Sequence, residues 1–139
     1  MHEIYDGFSE TFSRDAEASA LFSKLAFEER SHLGEVRFLR RLARQNGIPF
    51  ADVELDVEAL RREVAQLENV RRAAPQVSLH EALVIAMEFE KGVAEVHSRK
   101  AVAKANPDVA RLQGSLQAAD QRHFDALLAF ARGRGLKST

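Results

Sequence analysis

Three stretches of the chain place acids, and twice a histidine, where a helix should carry only apolar side chains. Glu29 and His32 interrupt the stripe Phe22, Leu25, Val36, Leu39 and Ala43. Glu90 interrupts Leu79, Leu83, Ala86 and Val93, with His97 one heptad beyond it. Asp120 and His123 interrupt Val109, Leu112, Leu116, Leu127 and Phe130. Each stripe advances alternately by three and four residues, the spacing that keeps side chains on one helical face. An ionised carboxylate drawn into an apolar interior without a partner costs several kcal/mol, and three converging ones also repel one another. The stripes contain no lysine or arginine at that level, so the economical counter-charge is a metal cation. His32 and His123 offer neutral nitrogens, and Glu29, Glu90 and Asp120 offer oxygens, a donor set suited to iron or manganese rather than to thiolate-seeking metals. A spacing of three puts both side chains of a pair on one face, so one helix can grip an ion with two ligands.

Taken singly, each element has a plainer explanation. Glu-x-x-His is common on helices as a surface or hydrogen-bonded pair, Glu90 could be rotated slightly out of the core, and Asp120–His123 alone is weaker still. Their recurrence in mid-stripe on three successive long helices favours a shared cation. His97 lies about 10 Å along the axis from Glu90 by helical rise, too far to share that ion, and reads as a core or supporting hydrogen-bonder. His2 and His80 sit near helix starts and carry no assigned role.

The elements that must position these residues are all helical, because strand-like alternation is absent. A first helix is expected from the N-terminus to about Arg14, with Met1, Tyr5, Phe8 and Phe12 on one stripe. A second starts near Asp15 or Ala16 and ends at Asn46 and Gly47, with Pro49 preventing resumption. Its roughly thirty residues span roughly 45 Å. The connection from Gly47 to Val77 is long and holds a further helix from Asp56 to about Ala73, stopped at Pro75. Ser78 and Glu81 form a capping box that opens the next long helix, running to about Lys104. Asn106 and Pro107 start the last, which ends near Arg132 before Gly133 and Gly135, with Leu136 to Thr139 as a frayed tail. The two halves read as a pair of helical hairpins.

Length and composition fit a single domain over residues 1–139. With 45% hydrophobic and 29% charged residues, the chain is neither disordered nor membrane-embedded in character. No apolar run approaches the roughly 20 residues that span a bilayer, and no basic-then-hydrophobic leader opens the chain, so no membrane partner and a cytoplasmic location are expected. The absence of cysteine excludes disulfides, iron–sulfur clusters and thiol catalysis. A net charge of −1, with arginine pairs interleaved among acids, argues against a nucleic-acid partner.

Through "LFSKLAFEERSH", "ALVIAMEFEKGVAEVH" and "LQAADQRHFDALLAF", the chain resembles the rubrerythrin branch of the ferritin-like, diiron-carboxylate superfamily over essentially the whole bundle. The resemblance implies an all-α, ferritin-like four-helix bundle with a long crossover between its second and third helices. It implies two iron ions, with manganese or zinc as substitutes, held by Glu29, His32, Glu90, Asp120 and His123, with Glu29 and Asp120 as bridging or terminal carboxylates. Two departures stand out. Asp120 occupies a position where glutamate is usual, one methylene shorter in reach. "IYDGF" matches the aromatic segment that follows the family's helix-one glutamate by about two turns, which places that ligand upstream of Met1 and leaves the first helix shortened. Glu3 lies on the wrong face and His2 at the edge of the stripe, each a poor substitute. A displaced start, a site with one carboxylate fewer, and a degenerate site that binds one metal or none all remain open on this reading.

The implied activity is that of a non-haem oxidoreductase reducing peroxide or dioxygen, or oxidising ferrous iron as ferritins do. Without cysteine the chain needs an external electron donor, and Tyr5, Glu88 or His97 would support the ligands by hydrogen bonds. The alternative is a degenerate ferritin-like helical protein, with a partial or absent metal site, acting as an interaction or structural module. A shortened first helix uncovers part of the apolar seam near Glu29 and Glu90. That favours a homodimer, with hairpin exchange through the long 47–77 link as one form of it.

Overall fold

The computed structural model describes residues 1–45, 57–97 and 107–136. Among them the chain forms five α-helices and no strand: α1 (His2–Thr11), α2 (Ala16–Gln45), α3 (Val57–Ala73), α4 (Leu79–His97) and α5 (Pro107–Gly133), with a 3₁₀ turn at Ala74–Gln76 between α3 and α4. The expected stop at Asn46, Gly47 and Pro49, the extension of α4 to Lys104, the cap at Asn106 and the tail from Lys137 to Thr139 lie outside the described residues. So do the side chains of Leu39, Ala43, Val93, His97 and Val109.

Local chemistry sets the boundaries. Asp15 accepts the Ala18 N–H at 3.1 Å and so satisfies one of the unpaired donors at the start of α2, which holds its carboxyl below the usual range, helped by Arg134. The expected box at α4 is present: Glu81 Oε2 accepts from the Ser78 N–H at 2.8 Å and from Ser78 Oγ at 2.7 Å, while the Glu81 N–H donates to Ser78 Oγ at 3.3 Å. At the end of α5, Gly135 takes φ 66°, its N–H donates to the Arg132 carbonyl at 3.0 Å, and the Leu136 N–H reaches back to Ala131 at 2.9 Å. That pattern is a Schellman closure, which requires a left-handed residue and places the next side chain against the helix. Leu136 accordingly packs on the core and is not frayed, contrary to expectation.

Cross-helix contacts fix the directions. Ser9 meets Ser19 and Ser23 while Asp6 meets Arg30, so α1 and α2 are antiparallel. Tyr5 reaches Glu90 whereas Thr11 reaches the Ala74 carbonyl ahead of α4, so α1 and α4 also oppose. His123 meets Glu28 while Arg134 pairs with Asp15 and Glu17, so α2 and α5 are antiparallel. α2 and α4 therefore run the same way, and the connection holding α3 must cross from one end of the assembly to the other.

The core is centred on Phe22, with the rings of Phe8 at 5.2 Å, Phe12 at 5.9 Å and Tyr5 at 6.2 Å. Leu25, Ala26, Leu83, Ala86, Leu127 and Ala131 belong to the same core, the alanines allowing close helix approach. Burial stops abruptly along α2. Phe22 and Leu25 are buried, but Leu33, Val36 and Phe38 are exposed, so among the described side chains the stripe expected to face inward has lost its cover by Val36. The reason is length: the ten residues of α1 cover about 15 Å, whereas the thirty of α2 extend about 45 Å.

Candidate metal centre

At the level where the cover ends, polar side chains converge. Glu90, Asp120 and His123 are buried among apolar neighbours, and Glu29 and His32 are mostly buried beside them. Glu29 Oε1 lies 3.5 Å from His32 Nδ1, one turn away on α2, and 3.4 Å from His123 Nδ1 on α5. Glu90 Oε1, from α4, also lies 3.4 Å from His123 Nδ1. The imidazoles of His32 and His123 stack at 5.4 Å with 26° between planes. Glu29, His32 and His123 each bring a donor atom to within 4.8 Å of the other two. Asp120 and His32 line one cavity of about 230 Å³ together with Glu29, His2, Val36 and Leu116. The structure thus gathers all five expected residues at one level, with Glu29, His32 and His123 forming the tight group, Glu90 touching it and Asp120 on the same cavity wall.

His123 is anchored from outside this group. Its Nε2 bonds to Glu28 Oε2 at 2.8 Å, and Glu28 is in turn 3.9 Å from Lys24 at the surface. Glu28 escaped the sequence reading because an acid four residues after a lysine looks like a solvent-facing ion pair. The doubled "EE" was the available signal, since adjacent residues are turned by about 100° and can serve neighbouring helices. Tyr5, expected as a supporting group, donates its hydroxyl to Glu90 Oε1 at 2.5 Å. Glu88 is not, because it faces the opposite side, exposed, on a second cavity with Lys91 and Phe124. His97, the third expected supporter, has its side chain outside the described residues.

The buried carboxylates and imidazoles shift one another. Burial alone would lower the pKa of His123, but Glu29, Glu90 and Glu28 outweigh it and push the value up to about 10. Burial raises Glu29, yet His123 and His32 more than offset this and hold it below its usual range. Burial, reinforced by the charge of Glu90, raises the Tyr5 phenol well above its usual value.

The donor set fits a divalent cation. His123 Nδ1 is buried and makes no hydrogen bond, although two carboxylate oxygens from different helices face it. Buried polar atoms are rarely left so. Two ligands each about 2.1 Å from one ion, at tetrahedral or octahedral angles, stand roughly 3.0–3.4 Å apart. The 3.4–3.5 Å separations of Glu29 from His32 and from His123 are close to that and are too long for good hydrogen bonds. No protein-family model, curated protein or solved structure matched the chain.

Proposed function

We propose that the chain is a ferritin-like helical bundle holding iron at a carboxylate and histidine centre, and that it acts as a rubrerythrin-like oxidoreductase on peroxide or dioxygen. The observation that carries this reading is the orphaned Nδ1 of His123, buried between Glu29 and Glu90 while Nε2 is tied to Glu28. The antiparallel pairs α1/α2 and α4/α5, with a crossover between α2 and α4, agree with that bundle topology.

Glu29, His32 and His123 would hold one ion, and Glu90 and Asp120 would supply oxygens for a second. Bound ferrous iron would contribute the two electrons that reduce the oxidant. The protein's own part is positional. Glu28 fixes the tautomer and tilt of His123, leaving Nδ1 for the centre. Tyr5 holds Glu90 by its Oε1 and closes the inner wall with its ring, which keeps water from that side. The 230 Å³ cavity, bordered by Val36 and Leu116, admits a small oxidant to Glu29, His32 and Asp120. Electrons would come from a donor outside these residues, since none of them is cysteine.

Metal analysis after anaerobic loading with ferrous iron, followed by stopped-flow reoxidation, tests the proposal. About two irons per chain, reoxidised faster by peroxide than by air, is the expected result. No bound iron at saturation removes the centre, and equal rates with both oxidants remove the peroxidase assignment.

A second reading, an interaction module without metal, is favoured by a separate observation: α1 brings Tyr5 rather than a carboxylate to Glu90, and a protonated His123 already balances part of the buried negative charge. It predicts a melting temperature indifferent to iron, whereas a ligand of the native state must raise it. In either case the exposed Leu33, Val36 and Phe38 favour association of two copies.

A further inference from the structure

We propose that His2 is the metal ligand contributed by α1, making the centre a three-imidazole site. This rests on the metal reading above and extends it to a residue at the edge of the α1 stripe.

The acids at the start of α1 are already engaged elsewhere. Glu3 Oε2 takes Arg71 Nη1 of α3 at 2.8 Å, which turns it away from the centre. Asp6 Oδ2 takes Arg30 Nη1 at 2.6 Å. His2 is different: it lines the cavity with Glu29, His32 and Asp120, and its Nδ1 is buried without a hydrogen bond. That nitrogen faces Asp6 Oδ2 at 3.9 Å, about 1 Å beyond a direct bond. At that distance no hydrogen bond ties Nδ1 to Asp6, so the ring can turn toward the cavity without breaking one. Arg30 holds Asp6 in place one turn from His2.

The face of α1 is correct as well. Tyr5 lies three residues after His2, on the same side of the helix, and its hydroxyl already reaches Glu90. His2 stands outside the group whose donor atoms are mutually within 4.8 Å, so it joins by a rotation of its side chain. That movement is inexpensive at a helix start, where the ring is 29% exposed. A third imidazole makes the donor set richer in nitrogen and shifts its preference from manganese toward ferrous iron, cobalt and zinc.

Cobalt(II) titration of the metal-free chain, followed by calorimetry and by the visible d–d bands, tests the assignment. The wild type and His80→Gln, altered at an exposed histidine, should bind alike. His2→Gln should bind roughly ten- to a hundred-fold more weakly with shifted bands, and lose less affinity for manganese. His2→Glu should recover binding with an oxygen-rich spectrum, and apo-protein melting of each variant reports that the fold is kept. If the wild type binds cobalt and His2→Gln matches it in affinity and spectrum, the His2 assignment is wrong while the centre stands. If the wild type binds neither cobalt nor iron, the centre itself falls, and His2 with it.

Discussion

Replacing Tyr5 by phenylalanine isolates one interaction. The hydroxyl is removed, the ring and its contact with Phe22 stay, and no cavity opens. What is lost is a 2.5 Å hydrogen bond to Glu90, with both residues almost fully out of solvent. Hydrogen bonds to charged groups contribute about 1.5–3 kcal/mol, and the upper half applies where water cannot replace the donor. For a domain of 139 residues, each kcal/mol moves the melting temperature by roughly 3–4 °C, so metal-free Tyr5→Phe should melt roughly 7–12 °C below wild type. A double-mutant cycle with Glu90→Leu, which has no acceptor, should return a coupling of about 1 kcal/mol or more, because each variant removes the same contact. A bound cation would supply part of what Glu90 loses, so the penalty should shrink in the metal-loaded protein. Melting within about 1 °C of wild type, or an additive cycle, would refute the idea that Tyr5 stabilises a buried carboxylate.

Other outcomes follow from the same site. Tyr5 is the chain's one tyrosine and there is no tryptophan, so absorbance at 295 nm reports this phenol alone; with its folded value raised above 10, ionisation should appear only as the protein unfolds, and stability should fall as pH rises past 10. His123 is likewise raised, so its contribution to the metal-free fold should be complete below about 6.5 and disappear as pH climbs through about 10, which urea melts at several pH values can follow. A metal that takes His123 Nδ1 must displace that proton, so apparent affinity should rise about tenfold per pH unit near neutrality; a flat profile in calorimetry would contradict ligation by His123. Glu28→Ala should leave the core intact yet weaken cobalt binding by roughly ten- to a hundred-fold, read by competition with a chelator. Val36→Ser with Phe38→Ser should change stability by less than about 0.5 kcal/mol per site in a monomer; a drop in mass by light scattering would locate the contact between copies on α2.

Much of this arrangement was legible in the residues. The box at Ser78 and Glu81, the stop at Gly135 and the three interrupted stripes are local or periodic signals, and the helices and the buried level of Glu90, Asp120 and His123 agree with them. What was not legible depends on rotation and on partners distant in sequence. Periodicity cannot say which of Glu28 and Glu29 meets α5, since both lie within one broad face; here one holds the outer nitrogen of His123 and the other faces the inner. Periodicity also put His2 at the margin of its stripe, and only the engagement of Glu3 by Arg71, from a helix sixty-eight positions away, separates those two neighbours. Glu88 failed as a supporter for the same reason, being exposed on the cavity it lines with Lys91 and Phe124.

The mismatch in length between α1 and α2 divides the molecule at the level of the centre. On one side lie the phenylalanine cluster, the Schellman closure and the clamp of Arg134 on Asp15 and Glu17; on the other, the described side chains of α2 beyond His32 and of the first half of α5 include far fewer buried groups. Amide protons over 33–45 and 107–119 should therefore exchange by partial opening, well ahead of those around Phe22 and Leu127. An ion seated at the boundary would rivet the looser half to the tighter one, so slowed exchange in those two segments would register occupancy even where no chemistry is observed.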